Sequence, residues 1–266
     1  MMLKSQAQNE RIALCTRGLG KQWGSLWVNK DLNLNFKEGC RHAIIGPNGA
    51  GKTTLVHLLS GAVVPSCGQV LFFGKDITTL SQAQRVRLGI SRSFQQSRLF
   101  PELTVLESVL LTICHRQGLS FRWWRPMEQN KLALNEALQL IHSLQLTCVK
   151  NQQSQFLSYG QQRLLELALV LATKPKVLLL DEPAAGMSLA ESQVIFNHIA
   201  ALPSSMSVIL IEHDMQQVFN FAEEITVLVS GRCLVQDKPQ KIATHVKVRQ
   251  LYLGDTLKPW NANIQR

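Results

Sequence analysis

No stretch of this chain comes near the roughly 20 consecutive apolar residues that a bilayer-crossing helix needs. Apolar residues nonetheless make up 45% of its 266 residues, enough for a sizeable core. The start Met1-Met2-Leu3-Lys4-Ser5-Gln6 holds no apolar signal core, so a cytosolic protein is expected unless something else holds it at a membrane. There is no C-x-x-C pair and no close Cys/His grouping; the cysteines lie scattered at 15, 40, 67, 114, 148 and 233. That spacing argues against structural zinc and disulfides, and for reduced, buried thiols in a reducing compartment. No basic run reaches five residues, although the net charge is +10. Such charge favours anionic neighbours, but its scatter weighs against a nucleic-acid partner. Internal repeats and low-complexity segments are absent too. What remains is one large α/β domain, with room for a smaller insertion.

The chain is organised around Gly46-Pro47-Asn48-Gly49-Ala50-Gly51-Lys52-Thr53-Thr54, which fits G-x-x-x-x-G-K-[ST]. It follows the apolar run His42-Ala43-Ile44-Ile45 and opens a helix-like segment, Leu55-Val56-His57-Leu58-Leu59. That strand, loop and helix context separates a phosphate loop from a chance glycine-rich turn. Three glycines let the backbone curl so that successive N–H groups face inward, and the helix adds its positive N-terminal end. Lys52 is placed to reach the β- and γ-phosphates, and Thr53 to offer its hydroxyl to Mg²⁺.

Upstream, short apolar runs from Ile12 to Phe36 separated by turn residues predict antiparallel strands. Trp23 lies among them and could stack on a purine base, although position alone favours a packed core tryptophan. Gln69-Val70-Leu71-Phe72-Phe73-Gly74-Lys75-Asp76 reads as a strand and turn, and Ser91-Arg92-Ser93-Phe94-Gln95-Gln96 leads into a different composition. From there the pattern turns helical, with Leu134, Ala137, Leu138, Ile141 and Leu144 at i, i+3, i+4 spacing. Residues 119–126 gather aromatics and arginines, suited either to packing on their own subdomain or to a membrane-embedded partner. A helix is expected from about Gln162 to Thr173 and another from about Leu189 to Leu202, with a hairpin around Ser230-Gly231.

Val177-Leu178-Leu179-Leu180 and Val208-Ile209-Leu210-Ile211 read as strands buried on both faces, ending at Asp181-Glu182 and at Glu212-His213-Asp214. Asp181 can hold Mg²⁺ through water, and Glu182 is placed to polarise a water attacking the γ-phosphate. Helix capping ahead of Pro183 is the bland alternative, and Lys52 upstream favours catalysis. Leu157-Ser158-Tyr159-Gly160-Gln161 opens the helix before that strand, Gln95 lies between two subdomains, and His213 closes the next strand. Together these motifs resemble the ATP-binding subunit of ABC transporters: phosphate loop, glutamine loop, LSGGQ-type signature, acidic strand end and switch histidine stand in family order. The resemblance runs over roughly residues 12–254.

It implies an α/β fold of the P-loop NTPase type, an ABC-type ATPase with an antiparallel β subdomain and an inserted α-helical subdomain. Residues 1–266 then form a single domain, with a RecA-like core over about 12–96 and 160–254. The helical subdomain with the signature motif covers about 97–159, and 255–266 are a tail. The family roles carried onto this chain put Trp23 on adenine and the loop Gly46–Thr54 on the phosphates. They put Thr53, Gln95 and Asp181 on Mg²⁺, and make Lys52, Gln95, Glu182 and His213 the catalytic set. Ser158, Tyr159, Gly160 and Gln161 act in trans on ATP held by a second ATPase subunit, as homodimer or heterodimer. The other implied partners are transmembrane permease subunits and, indirectly, a periplasmic or extracellular solute-binding protein, with the ATPase peripheral on the cytoplasmic face of the membrane.

Ser91-Arg92-Ser93-Phe94-Gln95, Leu157-Ser158-Tyr159-Gly160-Gln161-Gln162-Arg163, Asp181-Glu182-Pro183-Ala184-Ala185-Gly186-Met187 and Ile211-Glu212-His213-Asp214-Met215 look like the ATPases of branched-chain amino-acid importers. They are also similar to the urea and short-chain amide branch of that group. Tyr159 stands where the wider family usually has Gly, Ser188 where many members carry a coupling Asp, and Leu169 where an Arg is frequent. Two other classes compete. A soluble ABC ATPase acting on nucleic acid or ribosomes would call for a long coiled-coil insertion or a basic cluster, and a GTPase would need N-K-x-D, which Thr173-Lys174-Pro175-Lys176 does not fit.

Overall fold

The structure is a computed structural model that describes residues 11–93, 99–119 and 130–253. Gln95 and the aromatic stretch 120–126 lie outside the described residues.

Two sheets are built from strands of different pattern. β1 (Ile12–Trp23) pairs antiparallel with β2 (Leu26–Leu32), β3 (Asn35–Lys37) and β5 (Cys67–Phe72), and β6 (Lys75–Asp76) folds back on β5. The second sheet has the order β11 (Arg232–Asp237), β10 (Glu224–Val229), β4 (Arg41–Ile45), β9 (Ser207–Ile211), β8 (Val177–Asp181), β7 (Ile90–Arg92). All its pairs are parallel except the β10/β11 hairpin. Its central strands are leucine- and isoleucine-rich without polar alternation, because both faces are covered.

The period of two along each strand decides which layer each side chain joins. On β8, Val177 and Leu179 pack with Leu55, Leu58 and Leu59 of α1 (Lys52–Ser60) and with Leu14 and Phe36 of the antiparallel sheet. Leu178 and Leu180 face the opposite way. They meet Leu165 and Ala168 of α5 (Tyr159–Ala172), Ile195 and Ile199 of α6 (Leu189–Ala200), and a cluster shared with α3 (Val105–Arg116) and α4 (Lys131–Ser143). A smaller cluster joins Ala43, Ile45, Ile225 and Val227 to α7 (Met215–Phe221) and α8 (Pro239–Thr244). Because β4, β8 and β9 run parallel side by side, their C-terminal ends share one edge, where open α/β sheets place ligands.

The helix expected from about Gln162 begins earlier, at Tyr159. Ser158 Oγ accepts from the Gln161 amide at 3.3 Å and Gln161 Oε1 from the Ser158 amide at 3.0 Å, a capping box that starts the helix directly after Ser158. The helix from Leu189 stops at Ala200, short of Leu202. β7, α2 (Gln82–Leu88), α7, α8 and α9 (Val246–Leu253) were not expected; none exceeds 8 residues, too short for its periodicity to stand out. Burial of the thiols holds for Cys40 and Cys114 only; Cys67 and Cys148 are exposed. Among the described residues no helix is long and apolar enough to cross a membrane.

Arg85 is fully buried, and among the described residues no carboxylate is bonded to it. Its guanidinium donates to the carbonyls of Leu58 (2.7 Å), Leu59 (2.9 Å), Thr78 (2.9 Å) and Leu80 (3.1 Å). It therefore satisfies the carbonyls left bare at the C-terminus of α1, where a cation is also favoured by the helix dipole, and anchors the helix that carries the phosphate loop.

His42, on β4, is fully buried, with Nε2 2.8 Å from Thr226 Oγ1. Burial, helped by the charge of Lys37, pushes its pKa down from 6.5 to about 3, so the folded chain keeps it neutral. Below pH ~6.5 the unfolded chain takes up a proton that the folded chain refuses, so this contribution is complete above that pH and shrinks as pH falls. In denaturant titrations the stability of the parent relative to His42→Phe is expected to drop by up to about 1.4 kcal/mol per pH unit below ~6.5. A pH-independent difference would show that His42 titrates normally.

Candidate active site

The phosphate loop spans the gap between β4 and α1. Gly49 (φ 78°) and Gly51 (φ 92°) hold left-handed conformations that side chains resist. A Cβ on Gly51 would fall 2.5 Å from Asn29 Nδ2 and 2.6 Å from the Val28 carbonyl, so only glycine fits against β2 there. A Cβ on Gly49 would meet nothing within 4 Å.

Two supports were not foreseen from the sequence. Asn29, fully buried on β2, donates through Nδ2 to the Gly51 carbonyl at 3.1 Å. The Gly231 amide, in the turn between β10 and β11, donates to the Ala50 carbonyl at 3.1 Å. Neither stands out in the sequence, because each acts on a loop remote from it in the chain.

Lys52 is 8% exposed and folds back into the curl, its Nζ donating to the carbonyls of Gly46 (2.7 Å) and Pro47 (3.1 Å). Burial lowers its pKa, and the carboxylates of Glu182 and Asp181 oppose that shift. The lysine is thus a cation facing two acids at the mouth of the loop.

Asp181 closes β8 and is 1% exposed. Its Oδ2 accepts from Arg92 Nη2 at 3.0 Å, while Oδ1 is buried without a hydrogen-bond partner. Desolvation raises its pKa, against the lowering charge of Arg92, while Glu182 raises it further and Lys52 lowers it. The sequence pattern around Arg92 assigns it no role; the parallel pairing of β7 on β8 brings it there.

Glu182 follows in a left-handed backbone conformation, φ 48°, costly for a non-glycine residue and of the kind that gathers at functional sites. Its amide donates to the Ile211 carbonyl at 3.0 Å, and His213 Nδ1 lies 3.7 Å from its carboxylate. The His213 side chain is 67% exposed and the Glu182 side chain 28%, so both face solvent at the mouth. Glu212 is buried beneath them; its Oε2 accepts from the amides of His213 (2.8 Å) and Asp214 (3.3 Å) and orients the turn. Burial raises the Glu212 pKa, against those amide bonds.

Lys52, Asp181, Glu182 and His213 are therefore brought together. Thr53 is half-buried on the first turn of α1. Trp23 is 55% exposed at the end of β1, with Lys21 Nζ 4.3 Å above its ring, so it does not sit in the core. Ser158, Tyr159, Gly160 and Gln161 form the N-terminus of α5, the first two exposed and the others half-buried; among the described residues their side-chain bonds run within α5 and to Ala185, none to the phosphate loop. Gln95 lies outside the described residues.

A glycine-bent loop with a buried lysine fits a polyphosphate, and the buried, unpartnered Asp181 Oδ1 fits a hydrated divalent cation. With acids at the end of one parallel strand and a histidine after the next, this is the site of a P-loop nucleoside triphosphatase. The chain belongs to the ABC transporter family, whose profile matches residues 29–185, more than half of it.

It is 36% identical over 254 residues to the high-affinity branched-chain amino acid transport ATP-binding protein BraF of Pseudomonas aeruginosa, covering 92% of this chain and 99% of that one. The corresponding protein LivG of Escherichia coli K12 is 36% identical over 255 residues, covering 91% and 98%. The fold is similar to the ADP conformation of the ATP-binding cassette MJ1267, at TM-score 0.79, 28% identity and coverage of 92% and 99%. It is similar as well to a dimeric, post-hydrolysis cassette, MJ0796, bound to ADP and Pi, at TM-score 0.72, 25% identity and coverage of 85% and 98%.

Proposed function

We propose that this chain is an ATP-hydrolysing subunit of a membrane importer for branched-chain amino acids, acting in pairs at the cytoplasmic face of the membrane. The observation that carries the solute class is likeness at 36% identity, over 92% of this chain, to a branched-chain amino acid transport ATP-binding protein. Lys52 and the amides of Gly46–Thr54 bind and orient the phosphates. Thr53, Asp181 and Gln95 would hold Mg²⁺, which would supply positive charge to offset that of the phosphates. Glu182 takes a proton from water as the water oxygen attacks the γ-phosphorus; the bond to the β,γ-bridging oxygen breaks, leaving ADP and phosphate. His213, beside Glu182, contacts the γ-phosphate, and Trp23 offers an exposed ring to adenine.

The signature residues Ser158, Tyr159, Gly160 and Gln161 stand at the N-terminus of α5, with Ser158 and Tyr159 exposed, and turn the positive end of that helix toward ATP on a second ATPase subunit. A cleft of about 160 Å³ between α2, β7 and α5 is lined by Val86, Arg92, Leu99, Glu166 and Leu169. We assign it to the permease subunit. Binding of ATP then favours the closed pair and hydrolysis reopens it, which biases the permease between its states.

Uptake of labelled leucine and labelled urea by source cells tests the solute. Loss of leucine uptake alone in a Lys52→Ala strain is the expected result. Loss of urea uptake alone moves the chain to the amide branch, and no change in either overturns the import reading for both.

A further inference from the structure

Tyr159 stands where the wider family usually has glycine, and its side chain makes contacts that glycine cannot. The hydroxyl donates to the Ala185 carbonyl at 2.8 Å and accepts from Arg163 Nη2 at 2.7 Å and Nε at 3.1 Å. The Arg163 guanidinium also lies 5.0 Å from the ring centre and pairs with Glu166 at 2.9 Å. Hydrogen bonds with an ionised partner are the stronger kind, so the phenol is held at a defined place although the residue is 43% exposed.

Ala185 is one turn from Glu182: its amide donates to the Glu182 carbonyl at 3.1 Å. Gly186 follows with φ 76°, and a Cβ there would lie 3.5 Å from the Tyr159 oxygen, in contact with it. Two hydrogen bonds thus connect the backbone of Glu182 to the first residue of α5. Ser188, at the position where many members carry a coupling Asp, is engaged elsewhere: its hydroxyl and amide bond Glu191 at 2.7 and 3.1 Å to cap α6. Loop 183–188 is therefore hydrogen-bonded to the signature helix through Tyr159, beside an apolar approach in which a Cβ on Gly160 would lie 3.6 Å from Met187 Cε.

We propose that Tyr159 is a positioning residue that couples, within one subunit, the loop following Glu182 to the signature end of α5. It would pass the state of the subunit's own nucleotide site to the surface that completes the partner's site. This rests on the paired ATPase reading above.

The test compares the full chain with Tyr159→Phe, which keeps the ring on Arg163 and removes only the hydroxyl. Hydrogen–deuterium exchange is followed with and without ATP and Mg²⁺ at concentrations where gel filtration gives a monomer. ATP is expected to slow exchange at residues 46–54 in both chains, and at 158–163 in the parent alone. In steady-state turnover the variant is expected to lose about tenfold in kcat, the equivalent of one hydrogen bond, with KM for ATP unchanged. Persistence of the 158–163 response in Tyr159→Phe overturns the coupling. Loss of the 46–54 response in the variant overturns it too, because the hydroxyl then acts on the whole fold. If ATP slows exchange at 46–54 in neither chain, the ATPase reading has failed and this inference with it.

Discussion

Replacing Glu182 by glutamine is expected to lower ATP turnover by about 10²- to 10⁴-fold, the range for loss of a general base, while leaving ATP bound. Glutamine has nearly the same shape and keeps the backbone that Glu182 adopts, φ 48°, with its amide on the Ile211 carbonyl. It loses the charge and the ability to take a proton. The binding groups are untouched, since Lys52 bonds the carbonyls of Gly46 and Pro47 and not Glu182. Removing a negative charge near the phosphates also lessens repulsion. Two copies are therefore expected to stay closed over ATP that neither can split, visible as a stable ATP-dependent dimer in gel filtration. Hydrolysis by Glu182→Gln at the parent rate would remove Glu182 from the role of base and leave His213, 3.7 Å away, as the group to examine.

The residues drawn together at the sheet edge were legible because each sits at a fixed place in a local pattern: after an apolar strand, before a helix. Lys52 follows β4, Asp181 and Glu182 end β8, and His213 follows β9, and parallel pairing converts those linear positions into one edge. What could not be read came from contacts between distant parts of the chain. Asn29 acts on Gly51 from 22 residues away, and Arg92 reaches Asp181 across 89. Nothing around an isolated asparagine or arginine announces such a partner. The early start of α5 is a different case, because Ser158 and Gln161 stand three apart in a capping pattern that the sequence did contain. For Trp23 position favoured the core, yet the ring is exposed, because it ends β1 at the tip of a two-strand hairpin with β2. The burial expected of the cysteines failed at Cys67 and Cys148 for a related reason: composition carries no information on which positions the fold leaves at its surface.

Lys52→Ala is expected to act in the opposite manner to Glu182→Gln, abolishing tight binding before chemistry arises. Nζ is the one cation bonded inside the curl among the described residues, and it is buried, so its charge meets phosphate with little water between. Loss of a charge-assisted contact of this kind is expected to weaken ATP binding about 10- to 100-fold, measurable by calorimetry. The fold should survive. The carbonyls of Gly46 and Pro47 lose a donor, but the supports of the loop from Asn29 and Gly231 remain. A second consequence follows from the charges: Asp181 loses a cation that lowers its pKa, leaving desolvation and Glu182 opposed by Arg92. The Asp181 carboxyl should then protonate at a higher pH than in the parent, which infrared or NMR titration can read without nucleotide. Arginine is not expected to rescue binding, because its planar fork needs more room than the space that holds Nζ against two carbonyls. Unchanged ATP affinity in Lys52→Ala would mean that the loop binds phosphate through its amides alone.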